Sequence, residues 1–220
     1  MSEKLRDTTV LFSGGRDSSL AACLLANSGL CVHLLTCNNG ASFGCDLPDY
    51  RASELATVFG DRIANRTVAS TIGLFRRIAL ADIEDDFSKY KTNLIVLGSQ
   101  LAMHSEAIVY CIRNSIKSVA TGFATYQSDY PEQRPEAIAA FREFLGEFNL
   151  AYSTPVYEYP NADVVKYQLL DFGITTKSLE AVSIFSDTFS SPSTDQVTRY
   201  IEAKLDVCRA YVRLKCNIPS

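Results

Sequence analysis

The chain has 220 residues, of which 47% are hydrophobic, and its formal net charge at pH 7 is -4. This length and apolar content suit a single domain with one sizeable core. The acidic balance argues against RNA or DNA as a partner, because binding to a nucleic-acid backbone depends on clustered Lys and Arg. A small-molecule substrate is therefore favoured.

The seven cysteines are odd in number and contain no C-x-x-C pair, so they predict neither a disulfide framework nor a zinc knuckle. The beginning of the chain shows no apolar secretory segment, and no apolar stretch approaches the ~18 residues of a membrane span. These observations predict a protein of the reducing cytoplasm with no membrane partner.

Apolar runs alternate with segments of helical spacing along the chain. Strands are predicted at 8–12, 30–36, 63–68, 93–97 and 116–121. Helices are predicted at 18–28, 50–59, 71–88, 100–114, 135–148, 161–173 and 194–215. The alternation indicates an α/β fold with a Rossmann-like, doubly wound parallel sheet, whose ligands bind at the carboxyl ends of the strands.

The first predicted strand ends abruptly in the sequence Ser-Gly-Gly-Arg-Asp-Ser-Ser at 13–19. Gly14 and Gly15 allow the backbone to come close to an anion, where a Cβ would obstruct it. The serines and Asp17 suit the turn and the start of a helix, whose dipole attracts negative charge. The segment predicts a phosphate-binding loop, and an ordinary strand-to-helix turn with a serine cap is the alternative.

Two common nucleotide-binding loops do not fit this segment. A Walker loop needs Gly-Lys followed by Ser or Thr, and the chain has no Gly-Lys pair. The dinucleotide pattern G-x-G-x-x-G is also missing. The 13–19 loop instead resembles the PP-loop of the N-type ATP pyrophosphatases, which cleave ATP between the α- and β-phosphates to adenylate a substrate. This resemblance implies the fold of the adenine nucleotide alpha hydrolases, also called the HUP type.

Two long polar loops, 37–49 and 122–135, follow predicted strands and are expected to form walls of the same pocket. Cys37 and Cys45 flank the first of them, where a nucleophilic thiol and a bystander thiol are both possible interpretations. His33 lies within an apolar strand and is expected to be a hydrogen-bonded structural residue. His104 falls early in a helix near the strand ends, where it is a candidate for substrate contact.

The second loop concentrates groups that suit recognition. Tyr126 and Tyr130 offer stacking surfaces, Asp129 can accept from ring N–H or amino groups, and Arg134 suits a carboxylate or phosphate. The alternative is a solvent loop stiffened by two prolines, in which Arg134 pairs with a neighbouring acid and the tyrosines cover apolar surface.

A narrower resemblance rests on Thr121-Gly122, Asp129-Tyr130-Pro131 and Arg134-Pro135-Glu136, which look like the substrate loop of 7-cyano-7-deazaguanine synthases. Ser153-Thr154-Pro155-Val156, the predicted helix 161–173 and Glu180-Ala181-Val182-Ser183 follow in the family's order. The likeness covers residues 8 to 187. Members of that family convert a deazaguanine carboxylate to an amide and then to a nitrile, using ammonia and two rounds of ATP-driven adenylation.

The resemblance implies ATP and Mg²⁺ as cofactors, with Asp17 as the candidate Mg²⁺ ligand. The implied catalytic residues are Ser13, Asp17, Ser18 and Arg134. The implied nucleotide-binding residues are Phe12, Ser13, Gly14, Gly15, Arg16, Asp17, Ser18, Ser19, Thr36 and Gly122. The implied substrate-binding residues are Tyr126, Asp129, Tyr130, Arg134 and His104.

Two features of the family are missing. The four cysteines that hold its structural zinc are reduced to Cys208, with Ile184 at the first position, so no zinc is predicted. Apolar positions at helical spacing in 194–215 then predict that a C-terminal helical segment, 191–220, packs on the nucleotide-binding domain, 1–190, or on a second subunit.

The family's cations are also missing at Ser99 and Asn161, and Arg16 or Lys166 could restore some of that charge. The favoured interpretation is an ATP-dependent ligase that joins a heterocyclic carboxylate to ammonia or another amine. The alternatives are a catalytically weakened nucleotide-binding subunit acting with a partner protein and a tRNA-sulfurating enzyme. A homodimer is expected from the resemblance.

Overall fold

The computed structural model describes residues 6–64, 66–185 and 190–219. A five-stranded sheet in the order β4-β2-β1-β5-β6 forms its centre, and a short two-stranded sheet joins β3 to β7. The strands are β1 (Asp7–Leu11), β2 (Cys31–Asn38), β3 (Ser42–Phe43), β4 (Thr67–Ser70), β5 (Ser118–Ala120), β6 (Ala151–Ser153) and β7 (Val182–Ser183). The helices are α1 (Arg16–Asn27), α2 (Leu47–Phe59), α3 (Ile72–Phe75), α4 (Ile83–Tyr90), α5 (Ile95–Asn114), α6 (Pro135–Gly146), α7 (Ala162–Asp171) and α8 (Thr194–Cys216).

All the pairings in the central sheet are parallel. From β1 the chain first builds outward through β2 to β4, and then returns to add β5 and β6 on the other side of β1. Strand order therefore reverses between β1 and β5, which is where doubly wound folds bind ligands. The predicted Rossmann-like parallel sheet is confirmed.

Each face of the sheet carries its own hydrophobic core, because side chains alternate along each strand. On β1, Leu11 belongs to the core under α5, α6 and α8, whereas Val10 and Phe12 belong to the core under α1 and α7. Residues 8–12 are all buried, so the apolar side chains of Val10, Leu11 and Phe12 follow one another without a polar residue between them.

The C-terminal helix α8 packs against α5 and α6 of the same chain. Ser193 begins it with a capping box, in which its hydroxyl accepts from the Gln196 backbone and the Gln196 side chain accepts from the Ser193 backbone. Its buried side chains are Val197, Tyr200, Ile201, Lys204, Cys208 and Val212. The apolar side chains among these belong to the same hydrophobic core as buried residues of α5 and α6.

The predicted strand at 93–97 is wrong, because helix α5 begins at Ile95. Ile95, Val96 and Leu97 are all buried, and a helix that is apolar on every side has no periodicity to distinguish it from a buried strand. The fifth strand of the central sheet is instead Ala151–Ser153, which is too short to produce a strand pattern.

The predicted helix 71–88 is divided in the structure. Helix α3 continues as a π-helical turn at Arg76–Leu80, and α4 begins only at Ile83.

Among the described helices, α5 alone is long and apolar enough to span a membrane, contrary to the expectation that no stretch comes near that length. In the structure, 72% of the most apolar stretch of α5 is buried, as in the core helix of a folded domain.

Candidate nucleotide site

The 13–19 loop connects β1 to α1 and is held by its own serines. The Gly15 backbone N–H donates to Ser13 Oγ at 3.1 Å, and Ser13 Oγ lies 3.2 Å from Ser18 Oγ. Ser19 Oγ donates to the Gly15 carbonyl at 2.6 Å. Gly14 has φ +81°, a conformation that side chains disfavour. Gly15 is the N-cap residue of α1, and no side chain caps the first N–H groups of the helix. Uncapped N–H groups at a helix start are typical of anion-binding sites.

Gly122 holds the loop after β5 against this helix terminus. A Cβ at Gly122 would overlap the Ser18 backbone nitrogen and would lie 2.6 Å from the Asp17 carbonyl carbon. Only glycine permits this approach. The two loops that follow β1 and β5 therefore meet at the point where strand order reverses.

A cavity of about 590 Å³ opens between these loops. Three segments distant in sequence line it, together with two residues of α5. The lining residues are Leu11, Ser13, Gly15, Arg16, Asp17, Ser18, Gln100, Met103, Thr121, Gly122, Phe123, Gln127, Tyr130, Glu132, Gln133, Ser178, Glu180, Ala181 and Val182. The predicted meeting of the 13–19 and 122–135 loops is thus present in the structure, whereas the 37–49 loop, also predicted to form a wall, contributes no residue to this lining.

Asp17 lies at the centre of a polar network. The Tyr126 hydroxyl donates to Asp17 Oδ1, and Gln127 Nε2 donates to Oδ2 at 3.1 Å. Burial raises the pKa of Asp17, the two hydrogen bonds oppose that shift, and the nearby Glu180 carboxylate adds to it. The side chain is held in a fixed direction at the edge of the cavity.

Glu132 lines the cavity and was not among the residues predicted for the site. Its side chain is buried, and its Oε2 has no hydrogen-bond partner within the described protein. Burial raises the pKa of Glu132 to about 7. The signal that could have found it is its place inside the 122–136 loop, immediately after Pro131.

Residues 175–183, which we call the strap, cross the mouth of the 13–19 loop. The buried Arg51 donates to the carbonyls of Thr175, at 2.7 Å, and Lys177. The Leu179 N–H donates to the Gly14 carbonyl at 3.2 Å. The strap thereby places Glu180 in the cavity.

The charges that line the cavity are mostly negative. Asp17, Glu132 and Glu180 contribute carboxyl groups, and Arg16 is the one cation among the described lining residues. Arg16 Nε also donates to the Thr176 carbonyl of the strap, at 2.6 Å. Carboxylate oxygens are the ligands that Mg²⁺ prefers, so the side chains of Asp17 and Glu180 are chemically suited to this ion.

Two residues predicted to bind substrate lie elsewhere. Arg134 pairs with Glu136 at 2.8 Å and donates to the Pro192 carbonyl, as in the alternative interpretation of this loop. It therefore ties the 122–136 loop to the start of α8. Asp129 is exposed and does not line the cavity, whereas Tyr130 does.

The predicted role of His104 in substrate contact is not supported by its position. Its side chain is completely buried, stacks on Phe141 with ring centroids 4.2 Å apart, and lies 3.3 Å from the Tyr152 hydroxyl. Burial lowers the pKa of His104 to about 4, so the ring is neutral at pH 7. It is a core histidine of the sheet face under α5.

Three residues predicted to bind the nucleotide lie behind the cavity. Phe12 and Ser19 are buried, and Thr36 Oγ1 donates to the Phe12 carbonyl at 2.8 Å. These side chains support the 13–19 loop from within. Any contact with a nucleotide from this part of β2 would come from the backbone.

The two positions at which the family carries cations have structural roles here. Ser99 accepts from Asn39 Nδ2 at 3.2 Å, and Asn161 caps α7 by accepting from the backbone of Asp163 and Val164. Lys166 pairs with Asp163 at 2.8 Å on the surface of α7, outside the cavity lining. Lys166 therefore does not restore charge to the cavity.

The cysteines of the 37–49 loop differ in their surroundings. Burial raises the pKa of Cys37 well above its ordinary value, which keeps this thiol protonated and weakly nucleophilic. Cys45 is exposed. Cys208 is buried in the core under α8, and the absence of a zinc site at the C-terminus stays a prediction.

Comparison with known proteins shows which family this chain resembles. Residues 7–178 match the family described as "Queuosine biosynthesis protein QueC". The chain is 26% identical to a 7-cyano-7-deazaguanine synthase of Methanothrix thermoacetophila over 188 residues, which cover 76% of this chain and 79% of that protein. It is 47% identical to an uncharacterized protein of Methanocaldococcus jannaschii over 58 residues, 26% of each chain.

Among solved structures, the fold is similar to that of a 4-thiouridine synthetase in complex with RNA and bound ATP. The TM-score is 0.65 at 11% sequence identity, and the match covers 96% of this chain and 53% of the synthetase. At this identity the likeness concerns the fold alone. The likeness supports the doubly wound parallel sheet of this chain.

Proposed function

The chain belongs to the queuosine biosynthesis protein QueC family, and from that premise we propose that it adenylates the carboxylate of a 7-deazaguanine-like heterocycle with ATP. Pyrophosphate is released, and ammonia or another amine then displaces AMP. The observation that carries this proposal is the 13–19 loop, of which Ser13, Gly15, Arg16, Asp17 and Ser18 line the cavity at the reversal of strand order.

The 13–19 loop supports the placement of the ATP phosphates. The uncapped start of α1 provides N–H groups and a positive dipole at one side of the cavity. The hydroxyl groups of Ser13 and Ser18 hold the turn in this shape.

The carboxyl groups of Asp17 and Glu180 support a Mg²⁺ site beside those phosphates. ATP brings several negative charges into a cavity that already holds three carboxyl groups and Arg16. A bound Mg²⁺ would supply the positive charge that neutralises the triphosphate. Tyr126 and Gln127 orient Asp17 for this role, because each donates to one of its oxygens.

The opposite wall of the cavity supports a heterocyclic substrate. Glu132 offers an unpartnered oxygen to ring N–H or amino donors, and Gln127 and Gln133 add amide groups. Tyr130 presents an aromatic face at the rim. Hydrogen-bond acceptors suit the N–H groups at the edge of a guanine-like ring, and the aromatic surface suits its flat face.

The proposed reaction forms no covalent bond between the substrate and the protein. A carboxylate oxygen of the substrate attacks the α-phosphorus, the bond between the α- and β-phosphates breaks, and pyrophosphate leaves into the 13–19 loop. The amine nitrogen then attacks the acyl carbon, AMP departs with the electron pair of the acyl–oxygen bond, and the nitrogen loses one proton to solvent. The residues of the chain contribute positioning and charge stabilisation.

Pyrophosphate exchange into ATP, measured with a panel of heterocyclic carboxylates, tests the proposal. We expect exchange to depend on a 7-deazaguanine carboxylate, and the products with an amine to be AMP and pyrophosphate. Asp17→Asn should lower exchange at least about 100-fold, because it removes charge at the metal and phosphates. Asp206→Asn, a matched change at a side chain that is 93% exposed, should leave exchange unchanged.

Production of ADP and phosphate would contradict the proposal, as would exchange that Asp17→Asn does not affect. ATP binding without exchange would favour the second candidate, a weakened subunit that acts with a partner protein. One observation favours that candidate: Arg16, the cation of the described lining, is already engaged with the strap.

A tRNA-sulfurating activity is less well supported, since Cys37 is held as a thiol. The homodimer and the cytoplasmic location stay predictions.

A further inference from the structure

We propose that Asp7, Cys31 and His33 form a binding site for a divalent transition metal of the zinc type, at the edge of the sheet opposite the cavity. One potential ligand atom of each residue lies within 4.8 Å of the others. The proposal is independent of the proposed function, because it concerns different residues at the other end of the strands.

The register of the first two strands creates this cluster. Asp7 pairs with Cys31 across β1 and β2, and Thr9 pairs with His33. Cys31 and His33 are two residues apart on one strand, so their side chains project from the same face of the sheet. Asp7 brings its carboxylate to that face from the neighbouring strand, and this carboxylate contacts both the Cys31 thiol and the His33 ring.

Tyr110 on α5 orients His33 toward the other two side chains. Its hydroxyl lies 3.1 Å from His33 Nδ1, while His33 Nε2 lies 3.5 Å from Asp7 Oδ1. A histidine that ligates a metal through one ring nitrogen is commonly held by a hydrogen bond at the other. With Nδ1–H donating to Tyr110, Nε2 directs its lone pair toward the carboxylate and the thiol.

The chemistry of the three ligands selects the metal. A thiolate, an imidazole and a carboxylate suit Zn²⁺ or Co²⁺ rather than Mg²⁺, which prefers oxygen alone. Tetrahedral coordination at zinc bond lengths separates neighbouring ligand atoms by about 3.3–3.6 Å, which Asp7 and His33 already match. The thiolate and carboxylate together balance the charge of the ion.

The cluster is accessible, and it is separate from the nucleotide site. The side chains of His33 and Asp7 are 21% and 35% exposed, which leaves an entry path and a fourth position for water. Asp7 begins β1 and Leu11 ends it at the cavity, a distance of ~13 Å along the strand. A metal here would join β1 to β2. It also differs from the family's C-terminal four-cysteine zinc site, and it departs from the sequence-based prediction that the chain holds no zinc.

Titration of the metal-free full chain tests this inference. We expect one equivalent of Co²⁺ to produce a thiolate-to-cobalt charge-transfer band and the visible bands of tetrahedral coordination, and Zn²⁺ to displace it. Cys31→Ser should abolish the charge-transfer band. Cys45→Ser, a matched change at an exposed thiol, should retain it.

Tyr110→Phe keeps all three ligands and removes only the hydroxyl that orients His33, so zinc affinity should fall about 10- to 100-fold. His33→Gln provides a second test if Cys31→Ser fails to fold, as judged by far-UV circular dichroism. Spectra or affinities that are unchanged in folded Cys31→Ser or His33→Gln protein would overturn the proposal. So would the absence of stoichiometric Co²⁺ or Zn²⁺ binding by the unmodified chain.

Discussion

Gly122 shows how one missing Cβ determines the geometry of the site. Alanine at this position would press against the backbone of Asp17 and Ser18, which cannot rotate away. We expect Gly122→Ala to lower the free energy of unfolding by about 1–3 kcal/mol and to weaken ATP binding, because the start of α1 must move.

Gly146→Ala is the matched control for Gly122→Ala. No described atom lies within 4 Å of a Cβ built at Gly146, at the end of α6. This change should leave ATP affinity unchanged and should not destabilise the fold. Chemical denaturation and calorimetric titration with ATP would measure both effects, and equal behaviour of the two variants would contradict the role of Gly122.

Glu132 makes stability depend on pH. In the folded protein its pKa is about 7, against an ordinary value of 4.5, so the folded state retains a proton that the unfolded state has lost. The resulting decrease in the free energy of unfolding is absent below pH 4.5 and grows as pH rises toward 7. A shift of this size corresponds to about 3 kcal/mol.

Glu132→Gln removes this titration. The difference in unfolding free energy between Glu132→Gln and the unmodified chain should therefore shift by about 3 kcal/mol in favour of the variant between pH 4.5 and pH 8. Urea denaturation at a series of pH values would measure it. A difference that stays constant with pH would mean that Glu132 ionises in the folded state as it does in solution.

The strap is held in place mainly by Arg51. Its guanidinium, completely buried, donates to Glu54 at 2.6 Å and to two strap carbonyls. Lysine keeps the charge but lacks the planar fork that reaches several acceptors at once. We expect Arg51→Lys to lower the free energy of unfolding by about 1–3 kcal/mol and to weaken ATP binding, as Leu179 loses its contact with Gly14.

Arg209→Lys offers a comparison at the surface. Arg209 also donates two hydrogen bonds to one carboxylate, that of Glu147, but its side chain is partly exposed and these bonds do not involve the strap. This variant should lose no more than about 1 kcal/mol and should bind ATP normally. If Arg51→Lys behaves in the same way, the strap does not depend on Arg51.

The elements that the sequence predicted well are those with a periodic pattern and clear ends. The first strand, α1 and α6 fall in this class, since glycine or proline marks a boundary of each. The start of α5 was misread because burial on all sides removes periodicity. The fifth strand was missed because Ala151–Ser153 is only three residues long.

The cavity is lined by segments that the sequence could predict and by one, the strap, that it could not. The loops after β1 and β5 could be predicted, since parallel strands direct their carboxyl ends to one edge of the sheet. The strap could not, because its position depends on contacts of Arg51 and Arg16 with backbone carbonyls more than 120 residues away. The same distant contacts explain why Glu180 was not recognised as a cavity residue.

The central claim for the molecule is that the glycine turn after β1 holds the β- and γ-phosphates of ATP. A crystal structure with Mg²⁺ and α,β-methylene-ATP, whose α–β link resists cleavage, tests it most directly. We predict that the terminal phosphates accept hydrogen bonds from the backbone N–H groups of the 13–19 loop, with the metal at Asp17. A triphosphate bound elsewhere, or a 13–19 loop that contacts only the adenine or the ribose, would contradict the account.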